Sequence, residues 1–309
     1  MIKDFLYEVG AIPMLFLSKD IEALQLIDTI YNSGVDALYI NFDESALSVV
    51  PEIAKHYPMI VKGMGLIHDE DQALAAIDAG TDYIICDGLS DKVFSMCSKE
   101  NVLAIPFLTE LEEKIPEALD LGIQIVAVPN KADIESLTKN YPEVSYIIFS
   151  ENEQINGFLS NSKICACITE KMVRMDDAEI GNYSSIITSC QRIIKEVLGY
   201  SLKHIGINCE DEAEASKLAQ EFSNSFYLNY KLGNSSIFAG SEFELMKTMY
   251  LGSKGHIALG VNNVDRAIHN LALKGFTFNM DTLKKDDAGV KVIYLNEEIG
   301  GFAIHLIRN

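Results

Sequence analysis

Eight times in its first two hundred residues the chain sets a short, almost wholly apolar run before an amphipathic stretch. The runs AIPMLFL, ALYINF, MIVKGMG, YIICDG, VLAIPFL, IQIVAV, VSYIIFS and KICACI each precede a stretch of helical spacing, from KDIEALQLIDTIYNSG to YSSIITSCQRIIKEVLG. Strands that are apolar on both faces need cover on both, as parallel strands beneath crossover helices have. Eight such units within about 200 residues predict a compact (βα)8 TIM barrel, α/β in class, more economically than an open sheet. Gly34, Gly80 and Gly122 each follow an amphipathic stretch, where a left-handed helix end is wanted.

The whole chain has 309 residues, long enough for two domains, and its 48% hydrophobic content supports real cores. A formal net charge of -20, with no run of Lys or Arg, repels phosphate backbones and anionic lipid. Nucleic acid and membrane are therefore not expected partners. The start, MIKDFLYEVGAIPMLF, is too acidic and too early broken for a signal peptide, and no apolar run is long enough to span a bilayer. Six cysteines scattered through apolar segments fit a reduced, cytoplasmic protein.

Chemistry in such barrels sits at the C-terminal ends of the strands and in the loops that follow. The candidates there are Asn41, Asp43, Lys62, Met64, Asp87, Thr109, Glu110, Asn130, Lys131, Glu151 and Thr169 to Lys171. Over residues 11–200 the chain resembles the KDPG and KHG (2-keto-3-deoxy-6-phosphogluconate and 4-hydroxy-2-oxoglutarate) aldolases, compact barrels that work through a Schiff-base lysine. KGMGLIHDEDQALAAIDAGTDYIICDGLSDKV and MVRMDDAEIGNYSSIITSCQRIIKEV carry the likeness.

The resemblance also shows what is missing. The family's lysine falls on Ala127, which cannot form an imine; its acid/base glutamate falls on Tyr39; its anion-binding arginine falls on Asp43. A threonine falls on Leu66, and the phosphate-cradling glycine pairs fall on Ser150-Glu151 and Ile168-Thr169, with Glu170 beside them. Tyr39, Asn41, Asp43, Glu151 and Glu170 are the candidate pocket residues, and the carboxylates among them argue against a phosphorylated substrate. Strand alternation gives Lys62 the inward parity of Met64 and Leu66, so it is the candidate replacement lysine; the plainer reading pairs it with a carboxylate low in the barrel.

After LGYSL the texture changes. KHIGINC, EDEAEASKLAQEF, FYLNYKL, SSIFAG and EFELMKTMY form one β-α-β-β-β series; GHIALGV, NVDRAIHNLALKGF, TFNMDTL, VKVIYLN and GFAIHLIR form a second. The expected division is a barrel over 1–199 and an α+β domain over 200–309, with modules at about 203–250 and 254–309 completing each other's core. The doubled module resembles the vicinal oxygen chelate (glyoxalase-like) superfamily. That resemblance implies metal ligands at His204, Glu244, His256 and His305, the last where glutamate is usual. Three of the chain's six histidines fall on those four positions. Such a set suits Zn, Ni, Mn or Fe(II).

Other features read as ordinary. His68 precedes a helix, His269 sits on a helix face, Cys165 and Cys167 are small buried residues, and KKDD, SENE and RMDDAE are solvated turns. The expectation is an aldolase-like barrel without its lysine, joined to a metal domain that acts on or binds a small 2-oxo or 2-hydroxy acid, with Glu244 as general base. Two rivals stand beside it: a 2-keto acid aldolase using Lys62, and a non-catalytic binding or assembly protein. The aldolase resemblance further implies a homo-oligomer, such as a trimer formed through the barrel.

Overall fold

The computed structural model describes residues 2–18, 21–151 and 155–309. Lys19 and Asp20, which open one expected amphipathic stretch, and residues 152–154, which include part of SENE, lie outside them. The chain forms two units, Met1–Val197 and Leu198–Asn309.

In the first unit, β1 (Ala11–Leu15), β2 (Ala37–Asn41), β3 (Val61–Ile67), β4 (Tyr83–Asp87), β5 (Leu103–Phe107), β6 (Ile125–Pro129), β7 (Ser145–Ser150) and β8 (Ile164–Thr169) close in sequential order. β8 pairs parallel with β1, completing the expected barrel. Ile12, Tyr39, Tyr83, Ile85, Ile105, Ala127, Ile147 and Ile168 pack inside it. The opposite parity, including Leu38, Ile40, Met64, Ile84, Val126 and Ile148, packs in the layer beneath the helices. This two-sided burial is why the strands read as apolar runs.

Local signals set the helix ends. Asp43, Asp69, Ser90 and Asp133 cap the helices that follow them, accepting hydrogen bonds from backbone N–H groups three residues on. Gly34, Gly80 and Gly122 take φ of +91°, +89° and +76°. A helix over Ile2–Val9 precedes β1, and strand counting does not announce it. Its Leu6 is fully buried against the interior cluster, with Ile2, Phe5 and Val9 beside it. RMDDAE is a helix over Met175–Glu179, not a turn, and KKDD begins inside a strand.

The second unit is one mixed sheet of eight strands: β9 (Ser201–Asn208), β10 (Tyr230–Leu232), β11 (Ser236–Ala239), β12 (Phe243–Met246), β13 (Gly255–Val261), β14 (Phe278–Asp286), β15 (Gly289–Ile299) and β16 (Phe302–Arg308). Its order is β10-β11-β12-β9-β13-β16-β15-β14. Helices Glu212–Phe226 and Val264–Leu273 each follow the first strand of a module, so the β-α-β-β-β series does occur twice. The first strands of the two modules, β9 and β13, run antiparallel at the centre, each with its module's last strand parallel on its other side. The run FYLNYKL is shorter as a strand than expected, because the helix continues through Phe226 and ends at left-handed Tyr227. All six cysteines are buried. Among the described residues no helix is long and apolar enough to cross a membrane.

Candidate functional site

The barrel interior is aromatic around the candidate pocket residue Tyr39. Tyr39 is buried and meets Phe149 edge-on at 5.3 Å, and Phe149 meets Phe107 at 5.0 Å. Burial pushes the Tyr39 hydroxyl well above its ordinary range. Ala127 is fully buried on β6. Asn41 ends β2, half-buried. Asp43 is engaged as a helix cap, its Oδ1 accepting from the Ala46 N–H at 2.7 Å. Glu151 and Glu170 are exposed. Glu170 shares a cleft of about 720 Å³ with Lys171, Arg174, Asp176 and Arg192, so cations stand near this one of the candidate carboxylates.

The inward parity expected of Lys62 is also corrected. Gly63 and Gly65 hold inward positions of β3, where the rings of Tyr83 and Tyr39 reach across the interior. A Cβ on Gly63 would strike the Tyr83 ring, and one on Gly65 would lie 3.1 Å from the Tyr39 hydroxyl. Tyr83 is anchored there by donating to the Leu38 carbonyl at 2.9 Å. Lys62 therefore shares the outward parity of Met64 and lies 4% exposed. Its Nζ donates to Asp82 Oδ2 at 2.6 Å and to the Ile60 carbonyl at 2.9 Å.

In the second unit the four expected ligands converge, and sheet register explains how. One row of paired residues runs Glu244, Gly206, His256, Ala303 across β12, β9, β13 and β16. The next row on the same face runs His204, Ala258, His305, Tyr294 across β9, β13, β16 and β15. Rings and carboxylate thus alternate with Gly206, Ala258 and Ala303, whose small size gives the histidines room. A side chain at Gly206 would collide with the His256 ring.

Glu244 Oε2 lies 3.1 Å from His204 Nε2 and 3.1 Å from His256 Nε2, and the two nitrogens are 3.2 Å apart. With the Glu244 carboxyl ionised, no placement of protons on the two rings satisfies all three contacts. If both nitrogens carry hydrogen, two donors face each other; if one does not, its lone pair faces a carboxylate. A cation among them satisfies all three. With bonds of about 2.0–2.2 Å, neighbouring donors around such an ion stand roughly 3.0–3.4 Å apart. The candidate ligand nitrogens of His204, His256 and His305 lie within 4.8 Å of one another. Both ring nitrogens of His305, and Nδ1 of His256, are buried with no hydrogen-bond partner. The residues present therefore fit a divalent ion.

Burial and the neighbouring His256 and His204 lower the His305 pKa to about 3, which keeps the ring neutral. Burial alone would raise the Glu244 pKa. The contacts with His204, His256 and Ser236 outweigh it and hold the carboxyl well below its usual range. Two supporting residues escaped the sequence reading. Ser236 donates to Glu244 Oε1 at 2.6 Å, and Tyr294 stacks on His305 with centroids 4.6 Å apart and planes 15° apart. The His-x-Gly, His-x-Ala and Ala-x-His patterns of HIGIN, HIALG and AIHLI were the available signal for the alternating small residues. Nothing local marked Ser236.

Comparison with known proteins concerns the barrel. The sequence model described as "Aldolase: KDPG and KHG aldolase" matches residues 2–188. A 2-dehydro-3-deoxy-phosphogluconate aldolase of Treponema pallidum is 22% identical over 203 residues, covering 62% of this chain and 95% of that protein. Its Haemophilus influenzae counterpart is 25% identical over 204 residues, covering 62% and 93%. The crystal structure of KDPG aldolase from Legionella pneumophila, with pyruvate captured as a covalent carbinolamine intermediate, superposes with a TM-score of 0.57 at 15% identity. It covers 62% of this chain and 97% of its own, a likeness of fold.

Proposed function

The chain belongs to the KDPG and KHG aldolase family, and from that premise we propose that its chemistry has moved out of the barrel into a metal centre in the second unit. The barrel keeps the family fold, with Ala127 in place of the Schiff-base lysine, and the paired β-α-β-β-β modules are of vicinal oxygen chelate (glyoxalase-like) type. His204, Glu244, His256 and His305 hold one divalent cation, of the Zn, Ni, Mn or Fe(II) class. The observation that carries this reading is the three-way contact of ionised Glu244 Oε2 with two imidazole nitrogens, which protons on the two rings cannot satisfy.

When bound, the cation supplies a Lewis acid for the adjacent oxygens of a small 2-oxo or 2-hydroxy acid. Three neutral imidazoles and one carboxylate leave a divalent ion with net positive charge, which favours such an anion. Phe238, edge-on to His204 at 5.9 Å, and Tyr294 flank the ligands with apolar surface. Glu244 is the candidate general base, in a lyase or isomerase reaction of glyoxalase type. As a ligand Glu244 has its lone pair committed to the cation, so proton transfer would require it to leave that position.

Self-association through the barrel, as a homo-oligomer such as a trimer, belongs to the same proposal and is read by sedimentation. The metal centre is tested by elemental analysis of protein purified without a histidine tag, beside His256→Ala. About one equivalent in the wild type and little in the variant supports it; equally negligible metal in both contradicts it.

A further inference from the structure

Glu244 has two carboxylate oxygens, and they have different surroundings. Oε2 faces the two imidazole nitrogens, whereas Oε1 accepts the Ser236 hydroxyl proton at 2.6 Å. Ser236 is 4% exposed, so this hydroxyl has little water to turn to. Its position is set by the backbone. Register pairs Ser236 with Met246 and Phe238 with Glu244, so serine and carboxylate are diagonal neighbours on one face of the β11–β12 ladder. The Ser236 carbonyl also accepts the Gly233 N–H at 2.9 Å, closing the turn that enters β11.

We propose that Ser236 is a positioning residue that fixes how Glu244 engages the cation, committing Oε1 to the protein and leaving Oε2 as the single ligating oxygen. This rests on the metal reading above. The consequence is a count of open positions. Three imidazole nitrogens and one oxygen make four donors, so an ion held by them in six-coordination would have two places for a substrate that chelates through adjacent oxygens. Freed from Ser236, the carboxylate turns about its last side-chain bond, presents both oxygens and closes one of those places. A histidine where the superfamily usually has a second carboxylate makes this stricter, because only Glu244 among the four ligands can change its number of bonds.

The test uses the full chain loaded with cobalt(II), whose visible d–d bands weaken as coordination number rises. Ser236→Ala is expected to bind cobalt with weaker, displaced bands and about 10–100-fold lower affinity, the usual cost of losing a ligand's hydrogen-bond partner. Ser236→Thr, which keeps the hydroxyl, is expected to restore the wild-type spectrum. If Ser236→Ala does not fold, Ser236→Cys replaces it, since a thiol is a weak donor. A variant spectrum superimposable on the wild type, at full cobalt occupancy, overturns the role of Ser236 and leaves the metal reading intact. Failure of the wild type itself to take up cobalt overturns both, and is seen before any variant is compared.

Discussion

His256 lies over Gly206 on the adjacent strand, in the volume that a side chain at position 206 would occupy. The same ring is within 3.2 Å of both His204 and Glu244, so it has no free direction in which to yield. Gly206→Ala is therefore expected to displace the imidazole rather than the strand. Overpacking of this kind costs about 1–3 kcal/mol, and metal affinity should fall by about 10–100-fold. Chelator competition against the wild type measures it; unchanged affinity would show that the glycine has no part in the site.

Tyr294 stacks on the buried His305 ring, whose nitrogens have no hydrogen-bond partner and whose other ring contacts are the imidazoles of His204 and His256. Tyr294→Phe keeps the stack and should leave metal affinity within a factor of about 2. Tyr294→Ala removes it and should cost about 10-fold or more, in the range seen for other residues that support ligands. Equal affinities for the two variants would mean that the stack does not orient the ring.

The metal-free protein should lose stability in acid. His305 has its pKa lowered from 6.5 to about 3, so between those values the unfolded chain binds a proton that the folded chain does not. This contribution is complete above pH 6.5 and is lost as the pH falls toward 3, with a slope of at most about 1.4 kcal/mol per pH unit. Glu244, also lowered, adds a loss of the same sign at still lower pH. Urea titrations from pH 7 to 4 should show a shallower decline for His305→Gln than for the wild type; parallel curves would exclude His305 as the source.

Lys62 should behave as a structural residue. Asp82→Ala leaves its buried ammonium with only the Ile60 carbonyl and should destabilise the barrel by on the order of 3 kcal/mol, less where water reaches the partly exposed partner. Borohydride treatment in the presence of pyruvate should leave Lys62 unmodified. A reduced adduct on that residue would instead favour the aldolase rival.

The sequence made the barrel legible because its strands are buried on both faces, and apolar runs such as YIICD and ICACIT can hardly be read otherwise. Inward and outward parity was harder. On β3 two of the inward positions are glycines, and Met64 and Ile67, which catch the eye, belong to the outer layer. Only knowledge that Tyr83 and Tyr39 cross the interior corrects the parity of Lys62. The initial helix carried no strand–helix signal, because it packs on the interior without a strand of its own before it. The histidine set came from the resemblance of the doubled module to the vicinal oxygen chelate superfamily, with His204 and His256 at matching places in the two openings HIGIN and HIALG. Ser236 was not legible, because its contact with Glu244 depends on diagonal register between two strands, which no spacing within one strand encodes.

The most direct measurement of the central claim is an anomalous-difference map from crystals of untagged protein, collected above and below the absorption edge of the metal found by elemental analysis. One peak is expected in the second unit, within bonding distance of His204, Glu244, His256 and His305 and bonded to Oε2 of Glu244. A map without that peak, in crystals where those four side chains are ordered and joined by protons and water, would contradict the claim.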